Sequence, residues 1–272
     1  MILLGYLASI VIGISLGLIG GGGSILTVPV LVYLFKVEPM LATAYSLFIV
    51  GTSSLVGAFP KYKQGMINFK TALVFGTPSI IAVFATRKLI VPAIPDDVFS
   101  LGDFMVTKSI LMMMMFAVLM VASSVSMIRD KKSKTEEKEE EQKFNYPMII
   151  IEGTVVGVLT GLVGAGGGFL IIPALVMLSK LPMKMAVGTS LLIISAKSII
   201  GFTGDLTENA AKMDWELLGR VTALAIGGIF IGNWISKSID GNKLKKGFGW
   251  FVLLMGLYII IDQFLLKSSG GH

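Results

Sequence analysis

The chain alternates long apolar runs with short polar breaks from end to end. Residues 2–35 carry no charged side chain across 34 positions, which would be about 50 Å of helix and too long for one bilayer crossing. Four consecutive glycines, Gly20 to Gly23, must break that run. Three further runs of crossing length follow at 41–59, 71–86 and 104–128. From 129 the pattern inverts to mixed charge, and then the order repeats: a glycine-interrupted run at 148–179, followed by 185–203, 215–235 and 248–266. The pattern predicts an all-α polytopic membrane protein. It divides into a first transmembrane repeat at 1–128, a charged linker at 129–146, a second repeat at 147–267 and a flexible tail at 268–272 that reads as a tag remnant.

The repetition is visible in the residues themselves. Gly17-Leu18-Ile19-Gly20-Gly21-Gly22-Gly23-Ser24-Ile25-Leu26-Thr27-Val28-Pro29 returns 144 positions later as Gly161-Leu162-Val163-Gly164-Ala165-Gly166-Gly167-Gly168-Phe169-Leu170-Ile171-Ile172-Pro173. At that offset, 45 positions from Gly13 to Gly57 contain 18 identities, including Lys36 with Lys180, Ala42 with Ala186 and Ser46 with Ser190. Each half therefore contains a glycine-broken helix pair plus three spanning helices.

How the halves are oriented depends on the parity of crossings. If each glycine-broken run crosses once, the 21 Lys and Arg outside the spans divide 11 to 10 between the faces. If each run returns to its own side, the linker, Lys61, Lys63, Lys70, Lys180, Lys184, Lys237, Lys243, Lys245 and Lys246 share one face, and the division is 15 to 6. The positive-inside bias selects the second arrangement: inverted-topology repeats, with the linker cytoplasmic and both termini outside, in the cell inner (plasma) membrane. Asp96, Asp97, Asp103, Asp205, Glu208 and Asp214 then fall on the outer face, with Arg87 and Lys88 in a loop there.

Composition agrees with a bilayer protein: 54% hydrophobic, 15% charged, with a mean hydropathy of +0.83. The absence of cysteine excludes disulfides and thiolate chemistry, and the lone histidine, His272, excludes histidine-based metal sites and proton relays within the spans. A net charge of +6 carried in short loops speaks to topology and against nucleic-acid binding. The expected partners are a small anion and the lipid bilayer. Protons and sodium both stay open as coupling ions, as does assembly into a homo-oligomer, and no cofactor is implied.

The glycine motifs supply the candidate chemistry. A glycine run that opens a helix leaves backbone N–H groups without intrahelical partners at the positive end of the helix dipole, and such an end binds anions. Without Cβ atoms, a ligand can approach the peptide groups directly. Gly20, Gly21, Gly22, Gly23 and Ser24, with Gly164, Ala165, Gly166, Gly167 and Gly168, are the candidate binding elements. The rival reading is that these glycines only let helices pack closely. Ser46, Thr189 and Ser190 lie at matched places and could donate to substrate oxygens, or could bond their own helix carbonyls. Lys197 stands alone in an apolar stretch, either as a counter-charge for an anion or as a lysine snorkelling to the interface.

Residues 17–29 with their repeat at 161–173, Ala186-Val187-Gly188-Thr189-Ser190-Leu191 with Ala42-Thr43-Ala44-Tyr45-Ser46-Leu47, and Lys61-Tyr62-Lys63-Gln64-Gly65-Met66-Ile67-Asn68 resemble the TauE/SafE sulfite exporter family, also called the toluene-sulfonate uptake permease family. The resemblance covers nearly the whole chain apart from the linker. It implies a secondary transporter of small sulfur-containing anions such as sulfite, sulfonates and sulfoacetate, with no catalytic residues. An anion channel, or a carrier of another small carboxylate or inorganic anion, is the alternative. An intramembrane enzyme would need an acid/base pair or metal ligands in the spans, which the sequence does not offer.

Overall fold

The computed structural model describes residues 2–101, 104–129, 146–164, 166–177, 181–236 and 241–263. Nearly all of the expected linker at 129–146 and the whole tail at 268–272 lie outside the described residues. Helix α1 covers Ile2–Ile19. A broken segment, α2 (residues 21–34), opens as the 3-10 turn Gly21–Leu26 and closes as the π-helical turn Val30–Leu34. Helix α3 is Pro39–Lys63, α4 is Phe69–Ala93, α5 is Lys108–Ile128 and α6 is Tyr146–Val163. Then come α7 at Gly168–Met177, α8 at Met183–Asn209, α9 at Trp215–Ile235 and α10 at Gly241–Ile261. Among the described residues six helices are long and apolar enough to cross a membrane, and Pro147–Val163 and Gly249–Ile261 are shorter apolar ones.

Polar side chains in the breaks set the helix starts. Glu38 accepts from the Met40 and Leu41 amides at 3.0 and 3.1 Å, with Pro39 at the first helical position where it loses no bond. Asn68 caps α4 through the Thr71 amide at 3.0 Å, and Asp214 caps α9 through the Leu217 amide at 2.9 Å. Among the described residues the one departure from helical structure is a small antiparallel hairpin, β1 (Asp97–Leu101) and β2 (Phe104–Thr107). Residues 104–107, expected to begin a span, are strand. Phe104-Met105-Val106 is β-branched and aromatic enough to pair with Phe99-Ser100-Leu101, and Thr107 accepts from the Ile110 amide at 3.4 Å to start α5.

Each glycine break is a reversal. Gly20 and Gly164 both have φ +72°, a left-handed conformation that favours glycine. After the first reversal the chain comes back beside its own beginning: the Tyr6 and Phe35 rings stack edge-on at 5.3 Å, and a methyl group on Gly5 would meet the Phe35 ring at 2.6 Å. The return leg is closed by Val37 donating to the Leu31 carbonyl at 3.0 Å, and 144 residues later Leu181 donates to the Leu175 carbonyl at 3.2 Å.

Packing follows small residues. A methyl group on Gly13 would strike the Ala225 carbonyl, and one on Gly232 the Ile14 carbonyl, so α1 and α9 lie backbone to backbone. In the second half, Gly157 sits in the same way on the Ser79 carbonyl, joining α6 to α4. Helices α3 and α8 pack against each other along the middle, and α5 against α10. Outward faces are apolar: Leu3 is 74% exposed, Trp234 73% and Leu73 70%, as a lipid-facing surface requires. Buried positions instead carry many hydroxyls, among them Ser24, Ser46, Ser53, Thr189 and Ser190.

Two outcomes are expected from this packing. Gly13→Leu should lower the melting temperature of the detergent-solubilised protein sharply, since overpacking a tight contact costs about 1–3 kcal/mol, whereas Gly227→Ala, where nothing lies within 4 Å, should leave it unchanged or slightly raised. Single cysteines at Gln64 and Asp96, introduced into a chain that has none of its own, should react with an impermeant maleimide from opposite sides of a sealed membrane. Reaction of both from one side would overturn the path of α4.

Candidate functional site

The two reversals meet. A methyl group on Gly21 would fall on the Gly168 backbone, and one on Gly168 would fall on the Gly21 backbone, so neither position can carry a side chain without a shift. Helix α7 starts at Gly168 and the apolar helix Gly23–Leu34 starts beside it, so two helix N-termini converge. Around the first reversal, Gly20 faces Val187 and Ser190: a methyl group there would lie 2.9 Å from Val187 Cγ1 and 3.3 Å from Ser190 Oγ. Around the second, Gly164 faces Thr43 and Arg87, with Arg87 Nη2 2.6 Å from such a methyl group. Val187 and Thr43 are themselves 144 positions apart, so the two turns are held by matched neighbours.

The other expected site residues fall as follows. Gly23 packs on Ser15 and Leu16 of α1. The Ser24 hydroxyl donates to the Gly21 carbonyl at 2.7 Å and the Ser190 hydroxyl to the Val187 carbonyl at 2.8 Å, both local helix bonds. Thr189 Oγ1 accepts from the Asn68 amide at 2.9 Å, tying α8 to the start of α4. Ser46 is fully buried and its hydroxyl has no partner among the described residues. Gly166 and Gly167 take φ +62° and +68°, with Gly166 close against Val50 and near Ser198. Gly22 belongs to the first turn, and Ala165 lies outside the described residues.

Lys197 does not run to the interface. It is 1% exposed, and its Nζ donates to Thr160 Oγ1 at 3.1 Å and lies 2.7 Å from where a Gly167 methyl group would be. The snorkelling alternative is therefore corrected: the ammonium points inward to the second glycine turn. Burial on this scale disfavours a charge unless something compensates it, and Thr160 is its polar partner among the described residues.

Sequence reasoning placed Arg87 and Asp205 outside the spans, and the structure places both inside. Arg87 sits in the π-helical turn Thr86–Ile90 within α4, 1% exposed. Its Nη1 donates to Thr43 Oγ1 at 2.9 Å and lies 3.4 Å from Asp205 Oδ2, which is carried on α8 and is 5% exposed. Both were hidden because each stands near the end of an apolar run, where a charge reads as the start of a loop. The wider winding of a π-helical turn, a frequent feature of functional sites, carries Arg87 into the interior.

Two cavities lie at opposite ends of α3. One of about 560 Å³ lies on the hairpin face and includes Glu38, Arg87, Asp96, Lys108, Asp205 and Lys212. The other, about 220 Å³, is lined by Lys61, Gln64, Asn233 and Trp234 among others. Their linings correspond: Lys61 precedes Asp205 by 144 positions, and Arg87 precedes Asn233 by 146, the spacing between the caps Asn68 and Asp214. The side-chain amide of Asn233 is buried without a partner among the described residues.

Long apolar helices, reversals buried inside the bundle and charged groups held within it define a polytopic membrane protein with a polar centre. The chain belongs to the sulfite exporter TauE/SafE family, which it matches over residues 5–259, and it is a membrane transporter. It is 26% identical over 259 residues to a probable membrane transporter protein of Xylella fastidiosa, covering 92% of this chain and 91% of that one. It is 28% identical over 266 residues to a probable membrane transporter protein of Methanocaldococcus jannaschii, covering 92% of each. A probable membrane transporter protein of Bacillus subtilis is 27% identical over 256 residues, covering 93% of this chain and 98% of that one. No solved structure matches the chain.

Thr160→Val, which keeps the packing against Gly167 but removes the acceptor for Lys197, should cost about 1–3 kcal/mol. Thr160→Ser should retain most of it. Thermal unfolding of the two variants side by side checks this.

Proposed function

We propose that this transporter is a secondary carrier of small sulfur-containing anions, sulfite or an organosulfonate such as sulfoacetate. The anion binds where the two glycine turns converge, with Ser46, Ser190 and Lys197 assisting. The observation that carries the reading is the contact of Gly21 with Gly168, which brings two helix N-termini together inside the bundle. Amide groups aimed from two directions at one point suit an anion, and Lys197 adds a full positive charge to partial ones.

The two halves act as inverted repeats. The return of residue 35 to residue 5 supports the even parity on which the 15-to-6 charge division rests, and the matched closing bonds at Leu31 and Leu175 support a common design. Transport then follows from one repeat rocking against the other about a fixed site, with the linker cytoplasmic and both termini outside in the inner (plasma) membrane. No bond-making chemistry is assigned to the chain.

Labelled sulfite, sulfoacetate and chloride offered to proteoliposomes test this. Saturable flux of the sulfur anions, absent for chloride, is expected, and a flux that never saturates would favour a channel. Ser46→Ala separates binding from folding, because the hydroxyl it removes has no partner to lose among the described residues. Stability should hold while half-saturation rises about fivefold, the worth of one hydrogen bond of about 1 kcal/mol. An unchanged half-saturation would remove Ser46 from the site.

A further inference from the structure

Arg87 uses only one of its donor groups on protein. Nη1 serves Thr43 and Asp205, while Nε and Nη2, equally buried, have no hydrogen-bond partner among the described residues. Those two nitrogens form one edge of the planar guanidinium, the pair of parallel donors that grips two oxygens of a carboxylate or sulfonate at once. The Nη2 end of that edge lies against Gly164, where the turn leading into α7 begins. A buried ion pair that serves only structure is ordinarily well satisfied, because leaving donors bare after desolvating them is costly. Here Nε and Nη2 of Arg87 stay bare among the described residues.

We propose that the Nε/Nη2 edge of Arg87 is an oxyanion-binding element. It holds the substrate against Gly164 as the substrate arrives through the hairpin-face cavity, while Asp205, on Nη1, is the resident carboxylate whose charge offsets that of the arginine. The proposal rests on the anion-carrier reading and adds to it a residue and an order of events. Charges around the mouth, Glu38, Asp96 and Asp97 against Lys108 and Lys212, do not favour an anion. Attraction must therefore come from the floor, where Arg87 supplies a charge and a directed pair of donors together. No counterpart exists at the other end, where Asn233 stands in the matched position.

Opposite responses of two substitutions test this. Arg87→Lys keeps the charge but not the fork, and should weaken sulfite and sulfoacetate at least tenfold, read as the concentration that half-stabilises the purified protein against heat and as the half-saturation of uptake. Asp205→Asn removes the carboxylate that offsets the arginine's charge and should tighten both several-fold, with a lower melting temperature in the absence of anion that the anion restores. If both variants weaken binding alike, or if Arg87→Lys leaves it unchanged, the edge does not bind substrate and the pair is a structural tie. Acetate and oxalate, run in parallel, separate this proposal from the sulfur-anion reading. Carboxylates that bind in an Arg87-dependent way while sulfur anions do not would overturn the substrate and keep the arginine, and a wild type stabilised by no oxyanion would overturn both.

Discussion

A peptide group in hydrocarbon has no water to bond, so a helix may break inside a membrane only where protein covers the break. Everything in this molecule follows from having two such breaks. Each reversal would be untenable alone; together they cover one another, Gly21 against Gly168, with no side chain between them. The glycines have two physical duties there. Positive φ at Gly20, Gly164, Gly166 and Gly167 makes the reversals, and the missing Cβ atoms at Gly21 and Gly168 let the reversals meet. Packing and exposure of backbone donors are consequences of the same absent atoms, so the two readings of the glycine runs are not rivals. It also follows that neither half can complete its own centre.

Around that centre the usual distribution of polarity is turned inside out. Leucine, phenylalanine and tryptophan face outward, and serine and threonine are folded in. About half of these hydroxyls return to a carbonyl on their own helix, three or four residues back, as at Ser9, Ser15, Ser195 and Thr222. Such bonds make polar side chains nearly inert and let small residues line helix contacts. The other half, Ser46, Ser53 and Ser198 among them, have no partner among the described residues, and neither do Arg87 Nε and Nη2 or the Asn233 side-chain amide, an excess of polarity over what folding needs.

The helical fold was readable because its signals are long-range averages: apolar runs of crossing length, and a motif repeated at constant offset. That the first broken run turns back was legible in its four glycines, and the Tyr6–Phe35 contact brings its two ends together. What could not be read was depth near the end of a run. Arg87 and Asp205 each look like the first residue of a loop, and only the partner on another helix shows that the helix continues and the charge turns inward. The β-hairpin was missed for a related reason, since Phe104-Met105-Val106-Thr107 is apolar enough to belong to the span beginning just after it. Lys197 was ambiguous because a flexible side chain four carbons long can reach water or a cavity from one backbone position, and Gly167 with Thr160 decides between them.

Matched positions at the two ends of the molecule no longer carry matched chemistry. Where one end has an arginine facing an aspartate, the other has an asparagine and a lysine. The motif recurs at constant offset, but its matched positions leave the two ends electrically unlike. One end carries a paired charge buried at depth, and the other an amide with a lysine beside it. The side chains thus give the molecule an electrical polarity from end to end that a repeated sequence alone would not have.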